Sequence, residues 1–309
     1  MYGMTTLGTV MDTVTEMSRH HFDEHIPVRD VSFDSLDVCR IDNEPHRLRP
    51  AAQQQICNRL GVPITYMRKC TDKLQQENLN YWIEKERNDT LFFRFDGADI
   101  RAVFTPRYTP VDNMAVLHQI ERVGCGPDTR VQCSLDDELM AVSIPDSNKT
   151  FAVNGDRITP GISVSNSEVG MSSVHITAFY LRLVCTNGLI AKTSMCSSYR
   201  HISTRILENF GSVFHDVESG LYEQIGSFRI SLESPVHDPM SSLTAFNRQF
   251  GLCEVEQKAV EWARPSEAGD TMFNVIQTYT RASQMPGLSA ESRIKLQQTG
   301  GNILALVQK

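Results

Sequence analysis

Two strand pairs, each folded back by a short turn, set the fold class of this chain. The run LFFRFDGADIRAVF holds two strand segments, 91–95 and 99–104, around an Asp-Gly pair. Asp-Gly between apolar runs is a strong signal for a tight β-hairpin. A second pair, 130–135 and 138–144, is joined by a short turn that contains Asp. Hairpin connections predict antiparallel strands rather than a parallel sheet with crossover helices.

The strand pattern continues past the two hairpins. A helix is predicted between them, over 113–123, from its apolar spacing. Residues 172–186 follow as a long strand, and Asn187-Gly188 is the strongest short hairpin signal in the chain. We expect this turn to return the chain into a strand over 189–195.

Helical patterns flank the strands. Upstream, Pro50 opens a helix that Gly61 ends, whereas residues 1–26 predict a polar helix or loop. Downstream, helices are predicted over 202–225, 238–250, 252–263, 271–283 and 289–307. The predicted fold class is α+β: a central antiparallel sheet with a β-hairpin and packed helices, and helical N-terminal and C-terminal parts.

These patterns divide the chain into three parts. Residues 1–90 form an N-terminal arm with helices, 91–235 the antiparallel sheet core, and 236–309 a C-terminal helical region. We expect the three to form one integrated domain.

The net charge of −7 hides a segregation of charge along the chain. Residues 169–207 hold no Asp or Glu, and residues 45–73 carry six basic residues against Asp72. Basic segments on an acidic body suit a focused groove for an anionic ligand. They also suit an ordinary solvated surface, and the sequence leaves both readings open.

Several enzyme classes lack their motifs here. The chain has no P-loop, no GxSxG elbow, no HExxH helix and no GxGxxG turn. The run His20–His25 favours a surface loop over a metal site, and the eight cysteines fit no zinc template. Asp137-Glu138 lacks the lysine that a nuclease site needs two residues later. A Cys–His dyad stays open, using Cys185 or Cys196 with His201 or His175. We therefore expect no cofactor and no metal, and lean against an enzyme.

The cysteines and the chain ends bear on the cellular location. Scattered cysteines without pairing motifs predict small buried hydrophobic residues. No apolar run is long enough to span a membrane, and the first residues lack a secretory pattern. We expect a cytoplasmic protein.

Several stretches together resemble a known family. The central ones are RAVFTPRYTPVDN (101–113), GDRITPGISVSNSEVGMSS (155–173) and LRLVCTNGLI (181–190), followed by Arg200-His201. The chain is similar here to the phage- and plasmid-like proteins catalogued as domain of unknown function 932, over roughly residues 30–309. It departs from the family pattern at Thr105-Pro106, where the family usually shows Ser-Asp.

The resemblance implies a context and a function class. The context is a bacteriophage or mobile element in a bacterial host cell. A weaker similarity to single-strand annealing recombination proteins implies a non-catalytic DNA-binding protein that forms rings or filaments, a homo-oligomer acting in DNA recombination. Single-stranded DNA is then the expected partner, ahead of RNA, with no membrane partner.

Cations and aromatic side chains are what single-strand binding requires. The predicted nucleic-acid-binding residues are Arg101, Arg107, Tyr108, Arg182, Lys192, Tyr199, Arg200 and Arg205. Simpler roles compete with this one. Arg182 could form a buried ion pair, Arg107 could pair with Asp112, and Tyr108 could belong to the core. The run 165–168 could be a turn whose Asn and Ser bond the backbone.

Two other function classes remain open. One is a protein-interaction factor, such as a host-defence or antirestriction inhibitor, whose acidic surface mimics nucleic acid. Residues 128–138 and 208–234 would supply its charge. The other is an enzyme with an unrecognised site.

Overall fold

The protein, described here from a computed structural model, is a mixed α+β structure, as predicted. The description covers residues 1–153, 156–182, 187–191, 197–199, 205–221 and 225–307. For Asp156, Arg205, Ile206 and the strands 187–191 and 197–199, it covers the backbone alone.

The strands and helices come in runs along the chain. The strands are β1 Tyr2–Thr6, β2 His21–Pro27, β3 Val31–Phe33, β4 Val38–Ile41, β5 Glu44–Leu48, β6 Thr90–Asp96, β7 Asp99–Phe104, β8 Arg130–Leu135, β9 Met140–Pro145, β10 Phe151–Val153, β11 Asp156–Asn166, β12 Val174–Arg182, β13 Asn187–Ala191 and β14 Ser197–Tyr199. The helices are α1 Leu7–Met17, α2 Pro50–Leu60, α3 Ile64–Met67, α4 Asp72–Ile83, α5 Asn113–Arg122, α6 Arg205–Ser219, α7 Ile225–Glu233, α8 Pro239–Gln249, α9 Glu254–Ala263, α10 Met272–Ala282 and α11 Ala290–Leu306.

The strands form two sheets. The larger has the order β1-β8-β9-β11-β12-β13, with β10 also beside β11 and β14 also beside β12, and every pairing in it is antiparallel. The smaller has the order β2-β6-β7-β5-β4-β3, with one parallel pairing, between β5 and β7. The antiparallel character predicted from the hairpins therefore holds, but it extends over two sheets.

The predicted hairpins 91–95/99–104 and 130–135/138–144 form as β6–β7 and β8–β9. Gly97 has φ +56° in the first turn, a backbone conformation that glycine adopts without steric cost. The two hairpins do not share a sheet, because β6 and β7 pair with β2 and β5. Sequence reasoning placed all four strands in one central sheet.

Residues 1–26 differ from the predicted polar helix or loop. They form β1, α1 and most of β2. Leu7, Val10 and Val14 are fully buried on one face of α1, at helical spacing. The strand β1 is half-buried along its length and takes its hydrogen bonds from β8, so its own sequence gives little period-2 signal.

The predicted hairpin at Asn187-Gly188 is misplaced by a few residues. Asn187 pairs with Arg182 and Gly188 with Leu181, so both lie within β13 rather than in the turn. The predicted return strand is confirmed over residues 189–191, and its remaining residues, 192–195, lie outside the described ranges. The residues that join β12 to β13, 183–186, lie outside the described ranges.

The helix predictions are largely confirmed. The helix α2 runs from Pro50 to Leu60, and Gly61 closes it with φ +69°. The C-terminal helices α8 to α11 match the predicted ranges within two residues at each end. Of the helices in the described ranges, none is both long and apolar enough for a bilayer crossing.

Two separate apolar cores accompany the two sheets. The larger combines the larger sheet with α1, α5, α6 and the C-terminal helices. The smaller combines the smaller sheet with α2, α3 and α4, over residues 26–103. The opposite face of the larger sheet packs Phe179 and Leu181 against Ala290 and Ile294 of α11. The junction between the two sheets holds a small apolar cluster of Ala51, Ala102, Phe104 and Val169, and beside it a network of polar side chains.

Candidate functional site

A buried ion pair joins the two sheets. Arg101 of β7 donates from Nη2 to Oε2 of Glu168 at 2.7 Å, and both side chains are about 95% buried. The other carboxylate oxygen, Oε1, accepts from the backbone N–H of Asn113, at the start of α5, at 2.7 Å. Burying a carboxylate is costly unless it is paired and hydrogen-bonded, and Glu168 is both.

His21 of β2 lies close to both members of this ion pair. Its Nδ1 lies 2.9 Å from Nη1 of Arg101 and 3.7 Å from Oε2 of Glu168. Arginine only donates, so Nδ1 of His21 is the acceptor and the imidazole is neutral. Burial and the nearby Arg101 charge lower the pKa of His21.

A second buried arginine lies one strand away. Arg94 of β6 donates to Asp23 at 2.9 Å and to the backbone oxygen of Glu168 at 3.0 Å, and it also bonds Asp112. Burial opposes its charge, but the bonds from Asp23 and Asp112 outweigh that and raise the pKa of Arg94. Two guanidinium groups of the smaller sheet thus hold the loop that follows β11.

The predicted turn over 165–168 is wrong in part, because residues 165 and 166 end β11, but Asn166 and Ser167 do bond the backbone, at distant positions. Asn166 donates to the oxygen of Val111 at 2.9 Å, and Ser167 to the oxygen of Glu138 at 2.6 Å. Gln55 of α2 donates to the oxygen of Val169 at 2.7 Å. These bonds tie the loop to both sheets and fix the position of Glu168.

A cleft of about 520 Å³ lies beside this network. Its charged lining residues are Arg49, Arg101, Asp136, Asp137 and Glu138. Burial and the neighbouring Asp136 carboxylate raise the pKa of Glu138. Asp136 itself accepts backbone N–H bonds from Glu138, Leu139 and Ala290, which gives it a structural role. No three His, Cys, Asp or Glu side chains in the described part of the chain are grouped as a metal site.

Three strands of the acid-free segment 169–207, namely β12, β13 and β14, belong to the larger sheet. Its strand β12 is flanked on one side by β13, which pairs with residues 178–182, and by β14, which pairs with residues 174–176. Both run antiparallel to β12, so together they form one interrupted strand beside it. Residue 205 then begins α6.

The predicted binding residues have different environments in the structure. Arg101 and Arg182 are paired with acids, the latter with Glu267 at 2.8 Å, as its ion-pair alternative foresaw. Tyr108 stacks on Phe104 with ring centroids 3.7 Å apart, and burial raises its pKa. Arg107 is exposed.

Tyr199 and Arg205 are the remaining predicted residues within the described ranges. Tyr199 ends β14 and pairs in register with Val174, and Arg205 begins α6. Lys192 and Arg200 lie outside the described residues, as do Cys185, Cys196 and His201 of the possible dyad. The structure brings Arg101 and Tyr108 to the junction and the backbone of Tyr199 to the far side of β12, so the described members of the predicted set do not form one cluster.

Sequence reasoning missed His21, Arg94 and Glu168 as a structural unit. Arg94 carried a signal, because it is the only charge in the apolar strand LFFRF. A charged residue at a buried strand position needs a partner. Nothing in the sequence identified its acidic partners, Asp23 and Asp112, which lie 71 and 18 positions away in the chain.

One comparison with known proteins gives a match. Residues 101–222 match the family described as "Domain of unknown function (DUF932)". This range begins at Arg101 and includes Asn113, Glu168 and the acid-free segment, so the predicted likeness is supported there. No curated protein and no solved structure matches the chain.

Proposed function

We propose that this protein binds single-stranded nucleic acid, DNA in preference to RNA, and promotes the annealing of complementary strands without catalysing bond cleavage. The observation that carries the proposal is that β12, β13 and β14, three strands of the acid-free segment 169–207, lie side by side in the larger sheet. Single-strand binders combine a basic track for the backbone with sites for the bases.

The pairing register of β13 and β14 with β12 supports a phosphate-binding track along these two strands. Ala191, the last residue of β13, pairs with Ala178, and Ser197, the first of β14, pairs with Ile176. Lys192 directly follows the first of these strands and Arg200 the second. The nine residues of β12 span roughly 30 Å, which suits a binding site of several nucleotides.

The ion pairs of Arg101 and Arg182 leave fewer residues as candidates for phosphate contacts. Arg101 is buried against Glu168, and Arg182 is bonded to Glu267, so their charges are largely compensated. The proposal therefore rests on Lys192, Arg200 and Arg205. A net charge of −7 is compatible with this role, because basic residues gathered without acids among them can give a local positive potential.

The biological setting in the proposal comes from the family resemblance alone. In it, the protein acts in DNA recombination for a bacteriophage or mobile element, in the cytoplasm of a bacterial host. It assembles as a homo-oligomeric ring or filament on single-stranded DNA. Electron micrographs of the protein with single-stranded DNA test the assembly.

The test of binding uses a fluorescently labelled single strand and fluorescence anisotropy at low and moderate salt. We expect binding that weakens with salt, and a large loss in the triple variant Lys192→Ala/Arg200→Ala/Arg205→Ala. A matched control removes the same charge elsewhere: Arg68→Ala/Lys69→Ala/Lys73→Ala changes three exposed cations of the smaller-sheet region. The control should bind nearly as well as the native protein.

A second measurement addresses annealing. Two complementary labelled strands are mixed with the protein, and the rate of duplex formation is followed. Acceleration that the triple variant loses supports the proposal. Absence of binding to single strands at low salt refutes it and redirects the search to a protein partner on the acidic surface.

A further inference from the structure

We propose that the groove between β12 and α11 holds a nucleobase of the bound strand, so that the protein contacts bases as well as phosphates. This inference rests on the proposed function and specifies the ligand at one position. The groove has a volume of about 320 Å³ and is bounded by the larger sheet on one side and by α11 on the other.

The sheet side of the groove is polar. Ser165 and His175 are directly opposite each other on β11 and β12, and Thr177 follows on the same face. The row continues across the sheet, because Thr177 is opposite Ser163, and Ser163 opposite Ser143. Hydroxyl and imidazole groups offer both donors and acceptors, as a heterocyclic base requires.

The helix side presents two free amides. Gln298 and Asn302 are one turn apart on α11, so they share a face. Neither side chain makes a hydrogen bond to another described residue, and both are half-buried. A neighbouring lysine, Lys295, is already bonded to Glu256 at 2.9 Å and to the oxygen of Gly251 at 2.8 Å. The unused hydrogen-bonding capacity in this groove is thus amide rather than cationic.

Amides of this kind recognise base edges. Asn and Gln bond both the donor and the acceptor of an adenine edge, and similar donor–acceptor pairs occur on the other bases. Ile294 and Leu139 give the groove an apolar wall, against which a planar ring can pack. The one lysine in the described lining, Lys295, is already paired with Glu256, and Glu291 would repel a free phosphate, so a base fits the lining better.

The groove also lies at the right place on the proposed track. Ser198 of β14 pairs with His175, so β14 lies beside the strand that lines the groove. A nucleic-acid backbone that follows β14 would therefore pass beside the opening. A base that turns from the backbone toward β12 then reaches His175 and the two amides.

The experiment compares two oligonucleotides of equal length and charge with the native protein, one carrying bases and one made entirely of abasic units. We expect the base-carrying strand to bind at least about tenfold more tightly at the same salt. Equal binding of both strands overturns the base site but leaves phosphate binding, and hence the proposed function, in place. Binding of neither strand overturns both.

Variants then locate the base contact. In Gln298→Ala/Asn302→Ala we expect the preference for the base-carrying strand to fall to within about twofold, while the salt dependence stays unchanged. The matched control Gln76→Ala/Gln249→Ala changes two exposed amides elsewhere and should keep the full preference. Retention of the full preference in the groove variant overturns the assignment, and thermal unfolding verifies that both variants are folded.

Discussion

Arg101 of β7 and Glu168, in the loop after β11, form an ion pair of 2.7 Å across the junction of the two sheets. The residues are 67 positions apart in the chain and both are buried. Glu168 also accepts a bond from the N–H of Asn113, so this single carboxylate ties β7, the start of α5 and the β11–β12 loop together. The stability of the junction therefore depends strongly on it.

We expect removal of one partner to destabilise the protein markedly. Arg101→Met leaves the Glu168 charge buried without its ion-pair partner, and breaking such a pair costs about 3–5 kcal/mol. Chemical denaturation monitored by circular dichroism measures the free energy of unfolding. The exposed pair Lys258–Glu254 provides the control, since Lys258→Met should change the free energy very little. Equal effects at both sites would contradict a structural role for the buried pair.

The stability should also depend on pH through His21. Its pKa is lowered in the folded protein by burial and by Arg101, so the unfolded chain binds a proton more readily near its ordinary pKa of about 6.5. The free energy of unfolding therefore rises with pH through this region. The contribution of His21 is fully present above about pH 6.5 and is lost as the pH falls toward the lower pKa of the folded state. Denaturation curves between pH 5 and 8 measure it.

The variant His21→Gln serves as the control for this pH dependence. Its amide cannot titrate but can still accept from Arg101. The slope of the free energy of unfolding between pH 5 and 7 should be smaller in this variant than in the native protein. An unchanged slope would assign the dependence to other groups.

Gly161 should tolerate no side chain. A Cβ at this position would lie 2.0 Å from the backbone oxygen of Ile144, on the neighbouring strand β9. Backbone atoms cannot move away cheaply, so we expect Gly161→Ala to lower the free energy of unfolding by about 3 kcal/mol. Gly226→Ala is the control, because its Cβ meets nothing within 4 Å and alanine favours the helix α7. It should be neutral or slightly stabilising.

The cysteines should differ widely in reactivity. Burial raises the pKa of Cys39 and of Cys133 to about 12, whereas Cys253 is exposed. The thiolate is the reactive species, so we expect iodoacetamide to modify Cys253 in the native protein and to leave the other two intact. Mass spectrometry of peptides after short labelling identifies the sites. Labelling of Cys39 before unfolding would contradict the described core.

The salt dependence of DNA binding separates phosphate contacts from other roles. For single strands, each phosphate contact contributes about 0.7 to the slope of log K against log salt. We expect Lys192→Ala, Arg200→Ala and Arg205→Ala each to lower the slope by about that amount. Arg182→Ala should leave the slope nearly unchanged, because Arg182 is already bonded to Glu267.

Much of the fold followed from local sequence patterns. The β6–β7 hairpin and the helix from Pro50 to Leu60 are set by short-range effects, an Asp-Gly turn in one and a proline and a glycine at the ends of the other. Local signals failed where pairing partners are distant. The strand β1 has no strong pattern of its own because it is completed by β8, more than 120 residues later.

The candidate site, too, was predictable in part from the sequence and in part only from the tertiary structure. Charge counting along the sequence identified the acid-free segment 169–207, because charge belongs to residues regardless of the fold. Whether a given arginine is available depends on what lies opposite it in space. Only the tertiary structure placed Glu168 against Arg101 and Glu267 against Arg182, and joined the polar face of β12 to the amides of α11. Such contacts arise from long-range packing, which no local pattern encodes.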